Sequence, residues 1–151
     1  MSLEEELNAY KLDLLENTKY FTIEELADLY ENGQLDVHYN ADKTEHWTNK
    51  KQDKLIKNIL LGFPIPTIFL QEKDGEYLVI DGYNRLFTIL RFLNVIVAWN
   101  AHVYRFPYKV EMYHPKLPSF KETTWDNGGK RLSKKLKEKF LNYRIPVYFI
   151  K

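Results

Sequence analysis

No cysteine occurs among the 151 residues of this chain. Disulfides, thiolate metal sites and a cysteine nucleophile are therefore excluded. Long apolar runs are missing as well. The most apolar region, Leu86 to Trp99, is too short to span a bilayer and carries Arg91, so no membrane partner is expected. The N-terminus is acidic and has no apolar stretch of the secretory kind, which makes a cytoplasmic location the expectation. Neither internal repeats nor low-complexity segments occur. The four histidines, His38, His46, His102 and His114, lack paired ligand spacing, and no metal site is expected from them.

What is present suits one folded globular domain with a terminal appendage. Hydrophobic residues make up 44% and charged residues 28%, enough of each for a core and a solvated surface. The formal net charge of +1 conceals a gradient. Residues 1–34 carry 2 basic and 9 acidic side chains, residues 35–104 carry 8 of each, and residues 105–151 carry 12 basic and 4 acidic. Three readings of the basic C-terminal third remain open: contact with nucleic-acid phosphates, pairing with the acidic N-terminal third, or a solvated helix face.

Along the chain, Leu3, Leu7, Tyr10 and Leu14 recur at helical spacing behind an acidic first turn. Thr22 and Glu25 form a capping box, with Phe21 and Leu26 at the staple positions, and Gly33 marks the end of that helix. Leu35, Val37 and Tyr39 alternate as in a short strand. Thr48 caps a helix carrying Leu55, Ile56, Ile59 and Leu60, which Gly62, Pro64 and Pro66 terminate. Thr67–Gln71 and Glu76–Ile80 read as a hairpin joined at Asp74-Gly75. One or two strands are expected within residues 95–113, a long loop from Pro115 to Gly129, a basic helix capped by Ser133, and a closing strand over Ile145–Ile150. Helices mixed with short strands indicate an α+β fold.

The chemistry concentrates where the second hairpin strand runs into Asp81-Gly82-Tyr83-Asn84-Arg85 and then a helix bearing Leu86, Ile89, Leu90 and Leu93. Glycine permits a sharp turn out of the strand. The free N–H groups of the new helix can then receive an anion. Arg85 lies one turn in and can fork onto phosphate or carboxylate. Asp81 can cap the helix, hold Arg85 or bind a metal ion carried by a nucleotide. A plain helix start, with Asp81 capping and pairing with Arg85, fits the same residues. Trp47 can stack on a base or anchor the core, and His46 beside it can contact a ligand or sit at the surface. The basic helix with Lys130, Arg131, Lys134, Lys135, Lys137 and Lys139 can meet DNA phosphates without reading sequence, or face solvent.

The stretch Ile80-Asp81-Gly82-Tyr83-Asn84-Arg85-Leu86-Phe87-Thr88-Ile89 resembles the Asp-Gly-Gln-Gln-Arg-Leu-Thr-Thr-Ile signature of the N-terminal domain of GmrSD-type restriction enzymes, a domain of the ParB/sulfiredoxin-like superfamily. The helix from Lys54 to Gly62 with its Pro64-Ile65-Pro66 exit, Gly129-Lys130-Arg131-Leu132-Ser133, and Asn142-Tyr143-Arg144-Ile145-Pro146-Val147 resemble the same family. The likeness spans residues 21–151 and leaves 1–20 as a helical appendage. It implies a ParB-like fold, with a small mixed sheet, a strand–turn–helix at the signature, and flanking helices.

The resemblance also implies a nucleotide site, with Asp81, Asn84 and Arg85 in the catalytic positions. Lys43, Trp47, Gly82, Tyr83 and Arg85 would contact an NTP held with Mg²⁺. Tyr83 and Asn84 replace two glutamines, and Asp42-Lys43 stand where the family has Gln-Arg, so Lys43 keeps a charge but loses the planar fork. The implied role is a nucleotide-binding, NTP-hydrolysing regulator in a modification-dependent DNA restriction or phage-defence system. The alternative is a catalytically degenerate adaptor that binds DNA or a partner protein. No HNH motif occurs in the chain, so two expectations stay open: an HNH nuclease domain or subunit as its partner, or a regulator that acts alone. The missing cysteine excludes the sulfiredoxin reaction of the distant relatives.

Overall fold

The computed structural model describes residues 1–41, 44–96 and 107–150. Five α-helices and a five-stranded mixed sheet make up the described fold. Helix α1, Leu3–Asn17, is capped by Ser2 and passes without a loop into strand β1, Thr18–Thr22. The Thr22–Glu25 capping box closes in both directions and starts α2, Ile23–Glu31. Strand β2 is only Leu35–Asp36. Helix α3, Asn49–Leu61, is capped by Thr48 and ends at Gly62 in the left-handed region. Strands β3, Ile68–Lys73, and β4, Glu76–Asp81, form the expected hairpin, with positive φ at both Asp74 and Gly75. Helix α4, Tyr83–Phe92, follows at once. A short 3-10 helix at Gly128–Lys130, helix α5, Lys134–Leu141, and strand β5, Arg144–Ile150, complete the order.

The strand order is β1-β5-β3-β4-β2. β5 runs antiparallel to β1 but parallel to β3, and β2 runs parallel to β4. Strand β1 was not anticipated by periodicity, because its five residues fall between two strong helix signals. It forms because β5 supplies a full antiparallel partner, from Thr18 opposite Tyr148 to Thr22 opposite Arg144. The short strand expected through Tyr39 stops at Asp36, and Tyr39 is exposed. The strands expected within 95–113 fall largely outside the described residues, and 107–113 is irregular.

Period-two alternation sorts the sheet into two faces. Ile68, Leu70, Val79, Ile145 and Val147 point into one core with Ile23 and Leu26 of α2, Ile56 and Ile59 of α3, Leu86 and Phe87 of α4, and Phe140 of α5. Helices α2 to α5 therefore cover one face. Tyr148, at an alternate position, donates its hydroxyl to Asp13 of α1, which places α1 against the other face. Almost every residue of α4 is buried, so this helix lies within the core and its N-terminus is held rigidly.

Candidate functional site

Strand β4 ends at Asp81, and Gly82 makes the turn into α4 with φ +117°. Only glycine holds that conformation without strain. The space around it makes the same demand, since a Cβ on Gly82 would overlap Ile68 Cδ1 and come within 3.3 Å of Arg85 Nη2. Gly82 also occupies the N-cap position, and no side chain caps the helix. Asp81 is thus not a cap. It is exposed, and among the described residues no carboxylate closes an ion pair with Arg85. The plain helix-start arrangement is not the one adopted.

Arg85 is half-buried. Its Nη2 donates to the Thr67 carbonyl at 3.1 Å, while its buried Nε has no hydrogen-bond partner among the described residues. Burial lowers the pKa of the guanidinium from its ordinary value, and the nearby negative charge of Asp81 opposes that shift. A desolvated guanidinium with an unspent donor beside a helix N-terminus is an arrangement that an anion completes.

Tyr83 and Asn84, the two residues at the glutamine positions, turn into the protein. Tyr83 is buried, lies 5.5 Å from the Phe87 ring in a stacked pair, and its hydroxyl meets His46 Nδ1 at 3.3 Å. Asn84 Nδ2 donates to the Glu45 carbonyl at 2.6 Å, and its Oδ1 accepts from the Trp47 backbone N–H at 3.0 Å. One amide side chain therefore clamps residues 45–47 onto the first turn of α4. Trp47 is partly buried against the core, with Lys51 Nζ 5.9 Å from its ring. A cavity of about 240 Å³ lies there, lined by Glu45, His46, Trp47, Thr48 and Lys51. Lys43 lies outside the described residues.

The structure thus brings Asp81, Gly82, Tyr83, Asn84 and Arg85 to the end of an interior strand and draws Trp47 to the same turn through Asn84. Sequence reasoning missed Thr67, whose carbonyl aims Arg85, and Ile68, which backs Gly82. No local signal marks either. It also missed a buried polar cluster between the start of α3 and the last turn of α4. Asp53 accepts from the Tyr108 hydroxyl and, at 3.0 Å each, from the backbone N–H groups of Glu111 and Met112. Burial raises the Asp53 pKa above its ordinary value, and these hydrogen bonds oppose that rise. Arg91 donates to Gln52 at 2.5 Å and lies 4.5 Å from the Tyr108 ring. The cluster fastens residues 108–112 to α3 and α4. Among the described residues, no group of three His, Asp or Glu side chains gathers as for a metal ion. Nor is any described helix long and apolar enough to cross a membrane.

Fold and turn together define an α+β domain that presents an arginine and a helix N-terminus at the end of an interior strand. Residues 44–150 match the family model of the GmrSD restriction endonuclease N-terminal domain, and the chain belongs to that family. No curated protein and no solved structure matches the chain. The family match leaves out α1, β1, α2 and β2, although β1 and β2 complete the two edges of the sheet.

Proposed function

We propose that this domain binds the triphosphate of a nucleotide at the turn from β4 into α4 and serves as a regulatory domain of a modification-dependent DNA restriction or phage-defence system. The observation that carries the reading is the unspent, buried Nε of Arg85 beside the first turn of α4. Phosphate oxygens would accept from the backbone N–H groups after Gly82 and from the Arg85 fork. Lys43 would add a second positive charge. Trp47, bordering its cavity, would offer a stacking face to the base. Asp81 is exposed and unpaired with Arg85, so it is free to share a Mg²⁺ ion delivered with the nucleotide. Such an ion takes one or two carboxylates and otherwise phosphate and water, and would supply charge neutralisation.

Binding stands ahead of hydrolysis in this reading. Phosphoryl transfer needs a positioned water as well as neutralised charge. The Tyr83 hydroxyl faces His46, and the Asn84 amide holds the 45–47 loop through its oxygen and one N–H. The same two residues favour the second reading, a degenerate adaptor for DNA or a partner protein, with exposed Lys134, Lys135 and Lys139 of α5 as the contact surface.

Calorimetric titration of the full chain with each NTP and Mg²⁺ tests the proposal. Arg85→Ala should weaken binding by roughly 10- to 100-fold, the worth of a charge-assisted hydrogen bond in a partly desolvated site. Arg85→Lys should recover part of that loss. Phosphate release measured on the same samples separates sensing from hydrolysis. No heat with any NTP, together with a retained DNA mobility shift, would instead establish the adaptor.

A further inference from the structure

Helix α1 exposes an unusual amount of apolar surface. Leu3, Leu7, Tyr10, Leu12 and Leu15 are 49 to 70% exposed, and none of the fifteen residues of the helix is buried. Leu3, Leu7 and Tyr10 share one stripe with the partly buried Leu14. Charge on the helix is predominantly acidic, with Glu4, Glu5, Glu6, Asp13 and Glu16 against Lys11 alone. An isolated helix of this length is marginal in water, and exposed leucines in such number mark a surface that expects cover.

A complementary surface exists elsewhere on the chain. An apolar groove of about 440 Å³ lies between α3, α5 and the 116–123 segment, with Leu60, Leu61, Leu117 and Leu136 in its lining and Lys57 and Lys116 beside them. Helix α5, which forms one wall, adds Lys134, Lys135, Lys137 and Lys139 against Glu138. Acidic helix and basic-edged groove match in polarity and in charge.

The two cannot meet within one molecule. Helix α1 lies against the face of the sheet bearing Tyr148, whereas the groove belongs to the helical layer on the opposite face. No linker joins α1 to β1, and β1 is paired along its whole length with β5. Asn17 bonded to Asp13, and Tyr148 bonded to Asp13, hold the last turn in place. Folding α1 back over the sheet would unpair β1.

We propose that α1 docks its leucine stripe into the α3–α5 groove of a second copy of this chain, with Lys57 and Lys116 meeting the acidic first turn. Reciprocal exchange closes a two-fold dimer, while one-way insertion extends a chain of copies. The interaction does not depend on nucleotide, so its failure and that of the nucleotide site are separate results.

Sedimentation equilibrium of the full chain at rising concentration, in low and high salt, tests this. Association is expected, weakening as salt screens the charges. Leu7→Asp in the arm and Leu136→Glu in the groove should each weaken self-association by about tenfold or more, as loss of a central apolar anchor does. Both residues are exposed in the free chain, and unchanged circular dichroism checks that folding is intact. Mixing the two variants should restore a heterodimer, since one intact arm then faces one intact groove. A monomeric wild type would overturn the proposal. So would association that survives Leu7→Asp, or a mixture of the two variants that stays monomeric.

Discussion

At the scale of single residues, Gly82 meets two independent demands. Its φ of +117° lies where side chains are strained, and the space a Cβ would take is held by Ile68. Gly82→Ala is expected to cost about 1–3 kcal/mol, measured by urea unfolding. Adding Ile68→Val removes the overlapping Cδ1 but leaves the backbone strain, so the double variant should recover only part of the loss. Arg85 shows a different economy. Its guanidinium spends one N–H on Thr67, keeps Nε unpartnered, and so stores a desolvation cost that an anion can relieve. Asn84 stands between structure and site, because the loop carrying Trp47 hangs on its amide.

At the scale of elements, capping chemistry was the most legible part. Thr22, Thr48 and Ser133 each accept from a backbone N–H three residues on, as their spacing foretold. Thr22 does most, since it both starts α2 and ends β1. Thr22→Ala should lower stability by about 1 kcal/mol, read as a shift in the urea midpoint. The Asp74-Gly75 turn was legible for the same reason: it depends on two adjacent residues and their tolerance of positive φ. Strand β1 was not legible. Its stability comes from β5, more than a hundred residues away, and Thr18–Thr22 by themselves carry no alternation. The Asp53–Tyr108 link was hidden likewise, since it joins residues 55 positions apart.

For the whole molecule, folding sets a pH dependence through His38. Burial beside Tyr83 and Phe87 lowers its pKa below the ordinary 6.5, with Asp36 pulling the other way. The unfolded chain then takes up a proton at a pH where the folded chain still resists it. The contribution is complete above pH 6.5 and is lost as pH falls through 6.5 toward the lowered folded value. The urea midpoint should therefore drop between about pH 7 and 5.5, and His38→Phe should flatten that drop relative to wild type. The charge gradient along the chain also acts at this scale. Acidic α1 and basic α5 do not neutralise one another inside one molecule, because the sheet lies between them.

Sequence alone determined where helices begin, where the chain must turn on glycine, and that Asp81 to Arg85 carry a signature resembling that of the family the chain belongs to. Those properties depend on neighbours within a few positions, and such neighbours are fixed by covalent spacing. Tertiary structure alone decided the strand order, the clamp of Asn84 on the Trp47 loop, the aim of Arg85 at Thr67 and the stranding of α1 away from any apolar cover. Each of these joins residues distant along the chain. Loop closure brings them together only when burial of the shared core outweighs its entropy, and no local spacing records that balance.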